Sequence, residues 1–187
     1  RGCGISDGNF MGYGTHESKD TLLWLSYAKQ RFPNLQIFLL GVSMGAATVL
    51  MMSDQISPQD VKGIIADCAY TSAWDEFKYQ LKTSFHLPAF PILHICDLLC
   101  RLYAHYSFKD ASPVDHVKHA KVPVLFIHGK EDDFVPFYME KELYDACGSE
   151  KTLLAVDGAV HARSYHQNSA LYEKTLHSFF EKYSREF

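Results

Sequence analysis

The stretch Ile37-Phe38-Leu39-Leu40-Gly41-Val42-Ser43-Met44-Gly45-Ala46-Ala47-Thr48 decides the fold of this chain. It predicts an apolar strand, a tight Gly-x-Ser-x-Gly turn and a helix of small residues, the arrangement called a nucleophile elbow. Such a turn holds a serine hydroxyl, here that of Ser43, in an exposed and strained position. We expect a Cβ at Gly41 or Gly45 to press into the neighbouring strand or helix, so glycine fits both places. The N–H of Met44, at a helix N-terminus that favours negative charge, is the expected donor to a developing oxyanion.

Composition indicates a packed globular domain. The chain has 187 residues, of which 47% are hydrophobic and 14% aromatic, with a net charge of −4 and a pI of about 6.2. This length and apolar content are enough for one domain with a substantial core. The absence of a basic face argues against nucleic acid as a partner. Five dispersed cysteines indicate reduced thiols, which favours a cytoplasmic location.

Along the chain, strand and helix patterns alternate. Residues 1–14 carry five glycines and predict a loop. Helices are expected from Thr15, as N-cap, to Pro33-Asn34, and over 44–53, 137–147 and 164–183. Strands are expected over 36–42, 61–67, 122–128 and 152–156, and the continuous apolar character of the first predicts that both of its faces are covered. This alternation predicts an α/β fold with a parallel sheet, right-handed crossovers and helices on both faces.

Residues 68–120 interrupt this pattern. Aromatics, histidines and prolines alternate there with short helical pieces over 77–81 and 92–103, in a segment too long for a plain connection. We therefore expect one domain over residues 1–187, with 68–120 forming a helical cap insert over the site.

A serine nucleophile needs a base, and the base needs an orienting carboxylate. In proteins with a nucleophile elbow these follow in the order serine, acid, histidine. For the acid, Asp132 is preferred because its spacing Asp-x-x-Val-Pro, after the third strand, resembles the acid loop of proteins that carry such an elbow. Asp133 is the alternative in the same loop, and Asp67, after the second strand, is a third candidate.

For the base, His161 is preferred because it follows the fourth strand in a glycine-bearing loop before the last helix. A surface histidine is its alternative interpretation, since the chain has ten histidines. His166, one helical turn further on, is the second candidate for the base. His128, at the end of the third strand, is assigned a structural role.

Two other groups of residues were weighed. His94, Cys96, Cys100 and His105 lack the usual structural-zinc spacing, so no metal is expected. An aromatic run either lines an acyl pocket or forms the core of the cap; its members are Tyr70, Trp74, Phe77, Tyr79, Phe85 and Phe90.

These motifs together resemble the α/β-hydrolase superfamily, most of all its bacterial branch related to prolyl-oligopeptidase and serine-aminopeptidase domains. The likeness is carried by Arg1-Gly2-Cys3-Gly4-Ile5-Ser6-Asp7-Gly8, Gly41-Val42-Ser43-Met44-Gly45, residues 132–136 and His161. It implies that Ser43 is the nucleophile, that Asp132 orients the base, and that His161 is general base and then general acid. Members of the superfamily carry strands before the Arg-Gly-x-Gly loop, so we expect the C-terminal part of a longer protein, with an uncovered edge at strand 36–42.

The resemblance implies a serine hydrolase acting on a small-molecule or peptide acyl substrate, either an ester or an amide. The alternative is a non-catalytic binding module that uses the same cleft. No metal or organic cofactor is implied, because the three side chains supply nucleophile and base themselves.

Overall fold

The computed structural model describes residues 1–2 and 4–184; Cys3, in the glycine-rich stretch quoted above, lies outside the described residues, as do 185–187. The strands are β1 (Phe38–Val42), β2 (Gly63–Asp67), β3 (Val124–Gly129) and β4 (Lys151–Val156). The helices are α1 (Thr15–Arg31), α2 (Met44–Leu50), α3 (Ala73–Thr83), α4 (Ile92–Ala104), α5 (Pro113–Val117), α6 (Phe137–Ala146), α7 (Ser164–Gln167) and α8 (Ser169–Tyr183).

The strands form one parallel sheet in the order β1-β2-β3-β4. Val42 is in register with Asp67, Asp67 with Ile127, and Gly129 with Val156. Because all strands run the same way, their carboxyl ends meet at one edge of the sheet. Parallel α/β sheets bind their ligands at this edge.

Helices cover both faces of the sheet, as the sequence predicts. Ile64 and Phe126 belong to a core cluster shared with α2 and α6, whereas Ile65 and Ile127 belong to a second cluster shared with α8. Neighbouring strand residues point to opposite faces, which explains why β2 and β3 are buried along their whole length and largely apolar, with Asp67 and His128 as the polar exceptions near their carboxyl ends.

The first strand corrects one expectation. β1 lies at the edge of the described sheet, and only part of its α8 face is covered. Phe38 packs edge-to-face on Phe179 and Phe180 of α8. Leu40 and Val42, on the same face of the strand, remain 51% and 41% exposed. The prediction that both faces are covered is therefore wrong for β1 within residues 1–2 and 4–184, because α8 covers only the start of the strand.

The start of α1 also differs from the prediction. Its N-cap is Gly14, with φ of 99°, and Thr15 is the first helical residue. Glu17 does the capping, since its carboxylate accepts hydrogen bonds from the N–H groups of Gly12 (2.8 Å) and Gly14 (2.9 Å). The turn needs a left-handed residue before the helix, which glycine adopts without strain.

Segment 68–120 contains α3, α4 and α5. α3 contacts α4, whereas α5 packs against α2 and α6, and its Val117 is fully buried in the core shared with the sheet. The last part of the segment is therefore integral to the main core. That α3 and α4 act as a cap stays a prediction.

No helix in the described part of the chain is long and apolar enough to cross a membrane. The cysteines there are free thiols: Cys68, Cys96, Cys100 and Cys147.

The two glycines of the elbow are not equivalent. A Cβ built on Gly41 would lie 2.1 Å from the carbonyl oxygen of Gly45, because the strand and the first turn of α2 almost touch there. A Cβ on Gly45 would meet nothing within 4 Å in the described structure. The expectation of a clash at both places is therefore wrong for Gly45, whose Cβ direction points into open space.

This difference predicts opposite outcomes for two alanine substitutions. Gly41→Ala forces strand and helix apart and should lower the free energy of unfolding by several kcal/mol, about the cost of overpacking in a well-packed core. Gly45→Ala, in the first turn of α2, should be neutral or stabilise by up to about 1 kcal/mol, because alanine favours the helix. Denaturant unfolding of the two variants beside the parent protein checks this, and equal destabilisation would contradict it.

Candidate active site

The elbow places Ser43 at the carboxyl end of β1. Its N–H donates to the carbonyl oxygen of Asp67 (2.8 Å), which extends the β1–β2 ladder by one residue before the chain turns into α2. Ser43 has φ of 54° and ψ of −118°, a conformation that a residue with a Cβ rarely adopts. Strain of this kind persists where the surrounding structure enforces it, and it is frequent at active sites.

The acid loop follows β3 and separates the two neighbouring aspartates. Asp132 is 5% exposed, and its Oδ1 accepts hydrogen bonds from the N–H groups of Phe134 (3.0 Å) and Val135 (2.9 Å). Asp133 is exposed to solvent. The turn made by the two backbone donors fixes Asp132 and leaves its second oxygen free to face the site.

His161 joins the acid loop to the elbow. Its Nδ1 lies 2.8 Å from Asp132 Oδ2, and its Nε2 lies 2.9 Å from Ser43 Oγ. The ring of Phe134 lies against it with centroids 4.9 Å apart. With a neutral ring, Nδ1–H donates to Asp132 and Nε2 accepts from the Ser43 hydroxyl. The structure thus brings together the three residues that the sequence reasoning selected.

A second histidine stands behind the acid. His128 is completely buried, and its Nε2 donates to the carbonyl oxygen of Val135 (2.8 Å) and lies 3.3 Å from Asp132 Oδ2. Its Nδ1 lies 3.4 Å from Glu140 Oε2. Burial opposes the charged ring, but the two carboxylates outweigh it and raise the pKa of His128 to about 10. Burial also opposes the Asp132 carboxylate, yet hydrogen bonds with His128 and His161 lower its pKa to about 2.

The other candidates lie elsewhere. Asp67 is buried, and it accepts hydrogen bonds from Ser164 Oγ (3.3 Å) and Tyr172 Oη (3.0 Å), which ties α7 and α8 to the sheet. Burial raises the pKa of Asp67. His166 is exposed on α7, where its ring contacts Tyr165. The structure therefore brings neither the Asp67 carboxylate nor the His166 ring into hydrogen-bond contact with the Ser43 hydroxyl.

A cavity of about 120 Å³ opens beside the serine; we call it the Ser43 cavity, and it is lined by Tyr13, Ser43, Met44, Tyr70, Glu76, Phe77, Gln80, Phe134 and Val135. A second, apolar cavity of about 320 Å³ lies between α3 and α4 and shares Tyr13, Phe77 and Gln80 with the first. Of the aromatic run weighed above, Tyr70 and Phe77 line the Ser43 cavity and Phe85 the second one, whereas Phe90 is exposed.

Among the described residues, one group has the spacing to hold a metal ion: Cys68, Asp132 and His161, whose ligand atoms lie within 4.8 Å of one another. Two of the three are already joined by a hydrogen bond. Burial raises the pKa of the Cys68 thiol, which disfavours the thiolate that a metal requires. The group therefore fits a hydrogen-bonded site better than a metal site. The histidines and cysteines of segment 92–105 do not form such a group within residues 1–2 and 4–184.

Sequence reasoning missed two buried acids near the site, Glu76 and Glu140. Each carries a signal in the helical pattern, since Glu140 stands beside Met139 and three residues before Leu143, and Glu76 three residues after Ala73. A charged side chain within a buried helical stripe is uncommon and marks a position for inspection.

The chain is similar to several known proteins. The model of the prolyl oligopeptidase family matches residues 10–186. The uncharacterized protein YqkD of Bacillus subtilis (strain 168) is 31% identical over 179 residues, which are 95% of this chain and 59% of that protein. The lysophosphatidylserine lipase ABHD12 of Danio rerio is 27% identical over 159 residues, 82% of this chain and 39% of that protein. The chain thus spans three fifths or less of the length of these two relatives.

Solved structures share the architecture. The esterase Pf2001 of Pyrococcus furiosus superposes with a TM-score of 0.74 at 19% identity, over 98% of this chain and 68% of that one. The acylaminoacyl peptidase of Pyrococcus horikoshii superposes with a TM-score of 0.68 at 19% identity, over 91% of this chain and 29% of that one. These likenesses confirm the α/β-hydrolase fold expected from the sequence.

The environment of Asp132 predicts a pH-dependent contribution to stability. Its folded pKa of about 2 lies below the value of about 3.9 in an unfolded chain. The ionised form therefore stabilises the fold above pH about 4, and this contribution disappears as the pH falls through about 2. Asp132→Asn should lower the free energy of unfolding by about 2 kcal/mol at pH 7, and its difference from the parent protein should shrink towards pH 2.

Denaturant titrations at several pH values measure this difference. Asp133→Asn is the matched control and should change the free energy of unfolding by less than about 0.5 kcal/mol, because its side chain is exposed. A larger effect at position 133 than at 132 would mean that the acid loop was assigned wrongly.

Proposed function

We propose that this chain, which belongs to the prolyl oligopeptidase family, is a serine hydrolase cleaving a carboxylic ester or amide through an acyl-enzyme on Ser43. One observation carries the proposal: the imidazole of His161 lies within hydrogen-bond distance of both Ser43 Oγ (2.9 Å) and Asp132 Oδ2 (2.8 Å). A serine hydroxyl is a weak nucleophile until a base takes its proton, and this contact supplies the base.

In the proposed reaction, Ser43 Oγ attacks the substrate carbonyl carbon while its proton passes to His161 Nε2. The imidazolium that forms keeps its Nδ1–H on Asp132 Oδ2, and the carboxylate stabilises the positive charge. The tetrahedral adduct collapses when Nε2–H protonates the leaving alcohol or amine, and the C–O or C–N bond breaks. Water then loses a proton to His161 Nε2 and attacks the acyl-enzyme; the bond from the acyl carbon to Ser43 Oγ breaks, and the ring returns the proton to Oγ, which releases the acid and restores the hydroxyl.

The carbonyl oxygen becomes negative in both tetrahedral adducts and needs donors. Met44 is the first residue of α2, so its N–H has no acceptor within the helix and lies beside the nucleophile. We assign this N–H as one oxyanion donor, in keeping with the arrangement of nucleophile elbows. A single such donor is worth about 3 kcal/mol of transition-state stabilisation.

The protonation states required by this reaction agree with the local electrostatics. Asp132 is ionised at neutral pH because its pKa is lowered to about 2, so it can accept from Nδ1–H throughout the cycle. His161 is partly open to solvent, with 23% of its side chain exposed, which leaves room for a substrate and a water. The orienting carboxylate of Asp132 is thus buried, whereas the ring of His161, which must exchange protons with substrate and water, is accessible.

The nucleophile is tested by covalent labelling. A fluorophosphonate probe should label the protein, because its phosphorus accepts an activated serine oxygen. Ser43→Ala should abolish labelling, whereas Ser53→Ala, at a buried serine three residues after the end of α2, should retain it. Mass spectrometry of the labelled peptide identifies the modified residue. Labelling that survives Ser43→Ala would end the assignment and favour the non-catalytic binding module.

The base is tested by comparing the two histidines near the fourth strand. His161→Gln should reduce kcat for a short-chain p-nitrophenyl ester by at least about 10³-fold, because the hydroxyl loses its proton acceptor. His166→Gln, which changes an exposed ring on α7, should leave kcat within about twofold. A comparable loss in both variants would point to an indirect effect on α7 instead of proton transfer.

A further inference from the structure

The Ser43 cavity contains a carboxyl group that the proposed reaction does not use. Glu76 lies on the buried side of α3 and lines the cavity together with Ser43 and Met44. It is only 5% exposed. Glutamate is rarely this buried unless it is paired, so its partners need an account.

Glu76 has hydrogen-bond capacity to spare. Its Oε1 accepts from Gln80 Nε2 (3.0 Å), and the same amide group donates to the carbonyl oxygen of Phe134 (2.6 Å). Its Oε2 has no hydrogen-bond partner within the described part of the chain, and no lysine or arginine there is paired with it. Burial raises the pKa of Glu76 to about 7, because it outweighs the hydrogen bond from Gln80 and the nearby rings of His161 and His128, which lower the pKa.

Apart from Ser43 and Gln80, aromatic and apolar side chains form the rest of the cavity wall. The rings are those of Tyr13, Tyr70, Phe77 and Phe134. The Tyr70 hydroxyl already donates a hydrogen bond to the carbonyl oxygen of Tyr13 (2.9 Å). Rings beside a single carboxylate make a site for a cation, because the ring faces attract positive charge and the carboxylate neutralises it. A neutral hydrogen-bond donor would leave the negative charge of the buried carboxylate without a positive charge beside it.

The size and place of the cavity limit what can enter it. At about 120 Å³ it is well below the roughly 300 Å³ at which pockets for drug-sized ligands begin. Its wall includes Ser43 and Met44, which in the proposed reaction hold the carbonyl carbon and the carbonyl oxygen. A group attached directly to the carbonyl carbon would therefore occupy it.

We propose that Glu76 is a specificity residue that binds a primary ammonium group on a short acyl chain, so that the enzyme prefers small aminoacyl esters or amides. This rests on the proposed function, because it needs an acyl-enzyme on Ser43. Glu76 Oε2 accepts a hydrogen bond from the ammonium group, and Gln80 holds the carboxylate in place. The alternative is that Glu76 and Gln80 merely brace Phe134 in the acid loop.

The test uses five benzyl esters with the same four-carbon acyl chain: butyrate, 2-aminobutyrate, 3-aminobutyrate, 2-hydroxybutyrate and 3-hydroxybutyrate. Release of benzyl alcohol gives kcat/KM for each. The parent protein should hydrolyse at least one amino ester about tenfold or more faster, in kcat/KM, than the butyrate ester. Glu76→Gln, which keeps the shape and removes the charge, should abolish this preference and change the butyrate value less than about threefold.

Two further variants keep the result interpretable. Glu142→Gln makes the same chemical change at an exposed position of α6 and should leave all five values unchanged. Glu76→Met, of similar length and without polar atoms, should also lose the amino preference while retaining butyrate hydrolysis. Unfolding midpoints of each variant establish that the fold is retained.

Each contrary result has a distinct meaning. A preference for a hydroxy ester that depends on Glu76 would replace the ammonium by a neutral donor and overturn the proposal. An equal loss on all five esters in both Glu76 variants would indicate a brace for the acid loop and overturn it too, as would an amino preference that survives Glu76→Gln. Hydrolysis of the butyrate ester without any amino preference would overturn this inference alone, whereas no hydrolysis of any ester would overturn the proposed function with it.

Discussion

The two hydrogen bonds made by His161 are the constraint on which the site depends, because they tie the ends of three different strands together. Ser43 follows β1, Asp132 follows β3 and His161 follows β4, and 118 residues separate the serine from the histidine. A parallel sheet makes this possible, since it delivers all its strand ends to one edge. Gly41 sets the first of these positions, because its bare backbone lets β1 approach α2 closely enough to turn Ser43 outward. The fold and the candidate chemistry thus share one geometric cause.

Much of the fold could be predicted because its signals are local. The apolar runs of β2 and β3 and the breaks around them give their positions to within two residues. The errors arise where a particular tertiary or side-chain contact decides the outcome. The exposure of Leu40 depends on how far α8 extends over the sheet, and the cap of α1 depends on the reach of Glu17 back to Gly12. Asn168, which accepts from the N–H of Leu171, likewise divides the predicted last helix into α7 and α8.

The candidate site shows the same division. Ser43, Asp132 and His161 could be selected because each stands in a short motif after a strand. The buried acids Glu76 and Glu140 could not, because no local pattern indicates that a helix will place a carboxyl group beside the candidate site. Glu140, which lies on α6, contacts His128. Its carboxylate also accepts a hydrogen bond from the backbone N–H of Ala69, in the loop after β2 (3.1 Å). Such contacts are products of tertiary packing, and the sequence signal is only a charge within an apolar stripe.

The acids around the site differ in what surrounds them, and this separates their roles. Asp132 accepts hydrogen bonds from two backbone N–H groups and lies beside two imidazole rings. The interactions with the two rings outweigh the effect of burial on its pKa and keep the carboxylate ionised. Glu76 has one neutral amide partner among the described residues, and burial raises its pKa to about 7. In the inference drawn above, the ammonium group of a substrate supplies the positive charge beside it. A carboxylate that must orient a histidine has to be charged before the substrate arrives. A carboxyl group that recognises a cation can ionise when the cation binds. Two neighbouring acids in the same site therefore need opposite environments.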